Sequence, residues 1–551
     1  MISTLALTAL LAAPAAPPEK PADLVLTGGI VITLDAAHPR ATAVAVRDGR
    51  IVAVGDDAQV KPFLGRATKR VDLAGRAVVP GLTDAHVHVE SLGAALENVD
   101  LGGADTVDEA RRRVAARVGT LKPGEWLLGR GWDQNDWPGQ QFPTAADLDR
   151  VSAGHPVYLT RVDGHAGWAN SKALALAGVD AKTPDPPGGR LIRDAAGSPT
   201  GVLVDHAQSL VTSKIPEPPR AVRKRRLAAG LQACARAGLT EVHDAGVGLD
   251  AVGLYKELLR EKGLAVRVYA MLRGPGEFLA KGATLKPEVG LGDGMLTIRA
   301  IKVVADGALG SRGALLLAPY ADEPGTKGLL TVDEGEFRRL LPRAIAQGFQ
   351  VNTHAIGDGA NRLVLDAYER AFGGYDGSRY RFRIEHAQVL APSDVPRFKS
   401  LGVIPSMQPT HCTSDMYWAE GRLGLERAKG AYLWKTFLAQ GVPVAGGSDA
   451  PVEKVAVIPG LYAAVTRQDA KGWPAGGWHP EERVTIEEAL AMFSKHAAFA
   501  AFEEHERGEI TLGRRADLTV LSRDVTAILP AEILSTTVSL TIVGGRIVHG
   551  E

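Results

Sequence analysis

Gly81-Leu-Thr-Asp-Ala-His-Val-His-Val89 is an apolar run that carries two histidines, His86 and His88, in alternation. Every second side chain of a β-strand points to the same face, so this spacing aims both imidazoles at one point. Neutral imidazoles converging from a strand are good ligands for a borderline-soft divalent cation such as zinc. By itself the pair is weak evidence, because a polar strand face produces the same spacing. Its weight depends on the rest of the chain. The later β-like runs are Thr240-Glu-Val-His-Asp-Ala-Gly246, Ala265-Val-Arg-Val-Tyr-Ala270, Thr297-Ile-Arg-Ala-Ile-Lys-Val-Val304 and Phe349-Gln-Val-Asn-Thr-His354. Arg381-Phe-Arg-Ile-Glu-His386, Val403-Ile-Pro-Ser-Met-Gln408 and Pro443-Val-Ala-Gly-Gly-Ser-Asp449 bring the count to eight. Most are separated by helix-forming segments such as the one from Glu336 to Ile345. Eight β/α units in series predict an α/β chain with a (β/α)8 barrel of the TIM type.

The exception to the regular spacing is the long interval between His88 and Thr240, which must hold an inserted subdomain at about residues 100–225. It contains Gly129-Arg-Gly-Trp-Asp-Gln-Asn-Asp-Trp137 and Asp163-Gly-His-Ala-Gly-Trp168, which read as a pocket roof or as an ordinary packed excursion. Outside the barrel the texture is β. Ala43-Val-Ala-Val-Arg47 and Ile51-Val-Ala-Val54 flank Asp48-Gly49, a hairpin with a tight primed turn. Similar runs return at Ala516–Leu521 and Val538–Val543. The economical reading is one small β-sandwich built from both chain ends, residues 22–80 and 506–551, around a barrel over 81–505.

Lysine plus arginine equal aspartate plus glutamate at 63 each, a balance that argues against nucleic-acid binding. The apolar fraction of 45% and the charged fraction of 23% are those of an ordinary globular protein, without an integral membrane segment. Two cysteines, Cys234 and Cys412, are too few for a disulfide framework. The uncharged Leu/Ala-rich run from Ile2 to Ala16 fits the apolar region of a signal peptide, residues 1–18, although no Lys or Arg precedes it. This reading implies a periplasmic or secreted protein; otherwise the location is cytoplasmic. Nothing in the sequence sets an oligomeric state, and a homo-oligomer stays open.

In a parallel barrel, ligands sit at the C-terminal strand ends. Those ends offer His86 and His88, His354, His386 and Asp449, a metal set far rarer than any one of its members. The fourth strand adds Lys302, costly to bury unpaired. It either pairs with Asp306 or another carboxylate, or nearby cations depress its pKa and the free amine takes up carbon dioxide. A carbamate there would turn a point cation into a bidentate anion able to bridge two metals.

These residues resemble the amidohydrolase superfamily, specifically its N-substituted formamide deformylase-like branch of metal-dependent hydrolases. The resemblance covers nearly the whole chain. Its motifs are the Pro80–His88 segment, Asp163-Gly-His-Ala-Gly-Trp-Ala-Asn-Ser-Lys-Ala-Leu174, Ile301-Lys-Val-Val-Ala-Asp-Gly-Ala-Leu-Gly-Ser-Arg312, Thr353-His-Ala-Ile-Gly-Asp358, Ile384-Glu-His-Ala-Gln388 and Gly447-Ser-Asp-Ala-Pro451. The resemblance implies two divalent ions, zinc being expected, with His86, His88 and Asp449 on one and His354 and His386 on the other. Lys302, as its carbamate, would bridge them. It further implies that Asp449 is the catalytic base and proton donor. The reaction expected is hydrolysis of a non-peptide C–N bond in a small-molecule linear amide or N-acyl or N-formyl amine.

Other residues invite a role. His165 and Trp132 are candidates for substrate contact, and Arg312 either clamps a substrate carboxylate or pins its loop. His243 either faces the site or is packed below it. His411-Cys412 reads as a seventh-strand loop, and Arg220–Arg226 as a solvated helix face. The rival readings are a single-metal deaminase of a cyclic amidine, a barrel that has lost catalysis, and a peptidase-like enzyme of dipeptides or aryl acylamides.

Overall fold

A computed structural model describes residues 20–281 and 285–550, so the leader expected over 1–18 lies outside the described residues. Eight parallel strands run around a nearly closed barrel in chain order. They are β1 (Leu82–Val87), β2 (Leu239–Val247), β3 (Arg267–Arg273) and β4 (Leu296–Val304), then β5 (Gln350–Ala355), β6 (Arg383–His386), β7 (Ile404–Met407) and β8 (Ala445–Gly446). The last gap is closed just past β8, where Ala450 makes a parallel bridge to Val87. Asp449 N–H donates to the His86 carbonyl at 2.7 Å and His88 N–H to the Ala450 carbonyl at 2.8 Å. The buried Asp84 carboxylate takes the N–H groups of His86 (3.1 Å) and Ser448 (2.9 Å), tying the first strand end to the last. Gly447 is required at this seam, since a Cβ there would stand 2.8 Å from the His86 nitrogen.

Alternation sorts the strand residues as a barrel demands. On β4, Ile301 and Val303 join the large apolar cluster that the outer helices complete, as does Val351 on β5. Ala300 instead packs with Ala245, Tyr269 and Met271 in a separate small cluster. Polar residues share the interior: Tyr269 Oη donates to Gln350 Oε1 at 2.9 Å, and the Arg507 guanidinium pairs with the buried Glu241. Runs of Val and Ile therefore face the helices while chemistry-bearing residues occupy the lumen.

Between β1 and β2 the chain builds a six-stranded sheet of its own from strands between Val99 and Asp205. Its core holds Trp132, Trp137 and Trp168, with ring centroids 6.0–6.1 Å apart. The chain ends form two further sheets, and Ala77–Pro80 pairs antiparallel with Leu518–Leu521 to join the termini. One apolar cluster draws Leu24, Val44 and Val71 from one sheet and Val78, Leu518 and Ile542 from the other. At the hairpin, Asp48 and Gly49 have φ of 51° and 74°, as a type I′ turn requires. Among the described residues no helix is long and apolar enough to cross a membrane.

A buried ion pair fastens the C-terminal sheet to β3. Arg267 donates from Nε to Asp517 Oδ2 at 2.7 Å and from Nη2 to Oδ1 at 3.0 Å. Burial works against ionisation of Asp517, but the Arg267 guanidinium outweighs it and holds the carboxyl below its ordinary range. Removing one partner strands the other charge, so Arg267→Ala is expected to destabilise by about 3–5 kcal/mol in denaturant unfolding. Lys20→Ala, at the exposed Lys20–Asp48 pair, should have no measurable effect. A carboxyl depressed by folding stabilises above its unfolded pKa of about 3.9 and loses that contribution as pH falls through the folded value. The difference between wild type and Arg267→Ala should therefore shrink in acid.

Candidate metal centre

His86 is buried on β1, and His88 lies one residue beyond the strand, ahead of the helix Val89–Ala95. Their ring centroids are 5.5 Å apart. Both reach for one oxygen: His88 Nε2 is 3.1 Å and His86 Nε2 3.5 Å from Asp449 Oδ1. The His386 ring lies 4.9 Å from that of His86 and 4.5 Å from that of His354. Lys302 Nζ is 3.0 Å from His86 Nε2. The six residues named from the strand ends and β4 thus converge at one end of the barrel.

Ordinary alternation does not explain two of them. Glu385 points into the lumen, so the next residue, His386, should face the helices. It faces the site because its φ is 72°, and Asp449 likewise has φ 59°. Non-glycine residues in this region each cost roughly 1–3 kcal/mol and persist only where the surroundings hold them.

The histidines are oriented from behind. His86 Nδ1 is 2.5 Å from Glu385 Oε2, and His386 Nδ1 is 2.7 Å from Gln408 Oε1, which leaves both Nε2 atoms facing the centre. Burial, helped by the neighbouring Lys302 charge, lowers His86 to about 4. Burial also holds His354 and His386 well below the usual histidine value. All three are neutral imidazoles at pH 7, the form that binds metal. Burial opposes ionisation of Asp449, but His86, His88 and His386 around it outweigh burial and hold its carboxyl well below the ordinary range, so at pH 7, with His86 and His386 neutral, it is a carboxylate. Asp449 Oδ1 and His354 Nε2 are buried without any hydrogen-bond partner. His86, His386 and Asp449 offer ligand atoms all within 4.8 Å of one another. Orphaned donor atoms on neutral histidines and an ionised carboxylate are what a divalent cation satisfies, and the donor set fits one.

Lys302 does not pair with Asp306. That carboxylate instead accepts backbone N–H groups of Leu315, Ile356 and Gly357 at 2.8–3.0 Å. Among the described residues no carboxylate lies within 4.0 Å of Nζ, and burial lowers the ammonium to about 8. His165 Nδ1 is 2.6 Å from Asp205 Oδ1, and its ring stands 5.1 Å from that of His354. Burial opposes its charge, yet Asp205 raises it to about 9. His165 therefore faces the centre as a cation.

One expectation needs correction and two others are decided. Trp132 does not touch a substrate cavity: its ring is fully buried among aromatic neighbours, with Nε1 donating to the Leu159 carbonyl at 2.9 Å. Of the two readings of Arg312, the structure shows the loop pin, with the guanidinium 2.9 Å from Asp322 and 3.2 Å from Glu323. The Arg220–Arg226 run is a solvated face laced with ion pairs, Arg223 holding Glu90 and Asp250 while Arg225 and Arg226 share Glu97. His243 is packed, 3.0 Å from Arg383 Nη1. His411 stands closer to the centre than a plain loop residue would. It lies on the helix Pro409–Asp415, stacked 5.8 Å from His386 and 3.8 Å from Asp449 Oδ2. Its position just after a barrel strand is the sequence signal for it.

Two cavities meet at the centre. One, of about 550 Å³, touches all six converging residues together with Arg130, His165 and Arg273. The other, of about 900 Å³, shares Arg130, His165, His354, His386 and Asp449 with it and extends past Asp136, His411, Tyr417 and Glu453.

A parallel barrel with histidines and an aspartate gathered at its C-terminal end defines the class of metal-dependent hydrolases. The model described as the amidohydrolase family matches residues 69–549, and the chain belongs to that family, hydrolases of C–N bonds other than peptide bonds. The protein LONG AFTER FAR-RED 3 of Arabidopsis thaliana is 37% identical over 544 residues, covering 95% of this chain and 91% of that protein. The N-substituted formamide deformylase of Arthrobacter pascens is 30% identical over 546 residues, covering 95% and 97%. A crystal structure of an uncharacterized metal-dependent hydrolase from Pyrococcus furiosus superposes with a TM-score of 0.71 at 30% identity, covering 92% and 99%.

Glu385→Gln keeps the size of the side chain but removes the charge behind His86. It is expected to weaken metal affinity about 10–100-fold in a competitive chelator titration, with the barrel's circular dichroism unchanged.

Proposed function

We propose that this chain hydrolyses the C–N bond of a linear amide, an N-acyl or N-formyl amine, with two divalent ions, zinc being the expected metal. The observation that carries the reading is the convergence of His86, His88, His354, His386 and Asp449, with Asp449 Oδ1 and His354 Nε2 buried and in no hydrogen bond. His86, His88 and Asp449 would hold one ion, and His354 and His386 the other, with the Lys302 carbamate between them. Such ions supply a water that ionises near neutral pH and a positive centre for a carbonyl oxygen. The chain's own residues do the rest. Asp449, kept ionised by its histidine neighbours, takes a proton on its carboxylate and returns it to the departing nitrogen. That delivery is needed because an amide nitrogen leaves poorly as an anion. His165, held by Asp205, directs an N–H toward the cavity and the developing oxyanion. The deformylase relative favours an amide over a cyclic amidine.

The single-ion deaminase is a second reading. The observation in its favour is that His86, His386 and Asp449 alone bring three donor atoms within 4.8 Å of one another. Elemental analysis of wild type and Lys302→Ala, with circular dichroism as the folding control, separates the two. About two equivalents per chain, falling to one or fewer in the folded variant, are expected. One equivalent, unchanged in the variant, overturns the bridged pair. Release of a free amine and an acid from N-formyl and N-acetyl amines, with no ammonia from amidines, checks the reaction.

A further inference from the structure

Arg130 sits on the strand Leu127–Trp132 of the inserted sheet and lines both cavities at the centre. Its Nη2 donates to the Val162 carbonyl at 2.8 Å, which engages one of a guanidinium's five N–H donors. Among the described residues no carboxylate lies within 4.0 Å of it. Arg161 holds Asp133 and Asp163, and Arg422 holds Asp322, whereas Arg273, on the same cavity, has no carboxylate partner but is exposed at the end of β3.

The acids around Arg130 are already engaged. Asp163 gives Oδ2 to Arg161 Nη1 at 2.5 Å and Oδ1 to the His165 N–H at 2.9 Å. Asp100 Oδ1 accepts from Gly102 N–H at 2.8 Å, and Asp449 belongs to the metal centre. Burial lowers Arg130 to about 10, despite Asp449, Asp100, Asp163 and Glu453 working against it. It is a partly buried cation short of counter-charge. Its aim is also set by the backbone. A Cβ at Gly129 would lie 2.8 Å from the Val99 carbonyl oxygen, and one at Gly131, where φ is 95°, 2.8 Å from the Gly102 nitrogen. Only glycine lets the chain pass so close on either side, so the Arg130 backbone is wedged in place.

We propose that Arg130 is a specificity-determining residue that binds a carboxylate of the substrate, so that the preferred substrates are amides of the N-acyl amino acid type. This rests on the amide-hydrolysis reading above. A planar guanidinium matches a carboxylate bidentately.

The test uses the metal-loaded full chain and matched pairs such as N-acetylphenylalanine against N-acetylphenethylamine, which differ by the carboxylate. Wild type should favour the acid in kcat/KM by at least about tenfold. Arg130→Met should lose about tenfold to a hundredfold on the acid while changing the neutral partner less than about threefold. Arg130→Lys, which keeps the charge without the fork, should fall between and covers the case in which the Met variant misfolds. A wild type with no preference for the acid, an unchanged ratio in both Arg130 variants, or a ratio that moves only with Arg273→Met, the other arginine on this cavity, overturns the proposal. Calorimetric binding of the same pairs separates the two readings. Acid-selective binding that Arg130→Met abolishes, without turnover of any amide, keeps the anion site and removes the amide reading. Turnover of amides without acid selectivity does the reverse.

Discussion

The Glu385 carboxylate, fully buried between a guanidinium and an imidazole, is the contact on which the rest of the centre depends. Arg383 brings Nε within 2.8 Å of its Oε1 and Nη2 within 3.1 Å of its Oε2, and His86 Nδ1 stands 2.5 Å from that second oxygen. A carboxylate with no exposure is tolerable only if its charge is met. Burial opposes ionisation of Glu385, and Arg383 and His86 overcome it. In return Glu385 fixes which nitrogen of His86 faces the centre. Arg383 Nη2 then reaches Ser406 Oγ at 2.8 Å, and its Nη1 reaches His243 Nδ1 at 3.0 Å, linking β6 to β7 and β2. One charge network therefore orients a ligand and joins three other strands to it.

This network lies beneath a set of groups that cannot satisfy one another. Lys302 has an imidazole nitrogen instead of a carboxylate for its neighbour, and Asp449 Oδ1 and His354 Nε2 have no hydrogen bond at all. Buried polar atoms are nearly always paired in folded proteins. Two unpaired atoms on converging side chains, with His386 and Asp449 held at positive φ beside them, fit a bound cation.

The inserted sheet divides its work by side-chain chemistry. Trp132, Trp137 and Trp168 form a core that lets about a hundred residues pack as a unit, and their polar neighbours Arg130, Asp133, Asp163 and His165 turn toward the cavities. Gly129-Arg-Gly-Trp132 contains both roles in four residues. Period-two alternation separates Arg130 from Trp132 only because Gly131 takes a φ of 95° and shifts the strand register there.

The amino-acid sequence by itself determined the eight-strand order, the hairpin at Asp48-Gly49 and the strand-end placement of His86, His88, His354, His386 and Asp449. Each of these comes from short-range rules: alternation, turn chemistry, and the length of chain between strands. Tertiary structure alone decided that Glu385 and Gln408 orient two of the histidines, that His165 is charged by Asp205, and that His411 stacks on His386. It also decided that Trp132 is core while Arg130, two residues earlier, faces the cavity. These contacts join residues from 22 to 299 positions apart. No local periodicity encodes such pairs, because they exist only once closure of the barrel brings the strand ends and the inserted sheet to the same few ångströms.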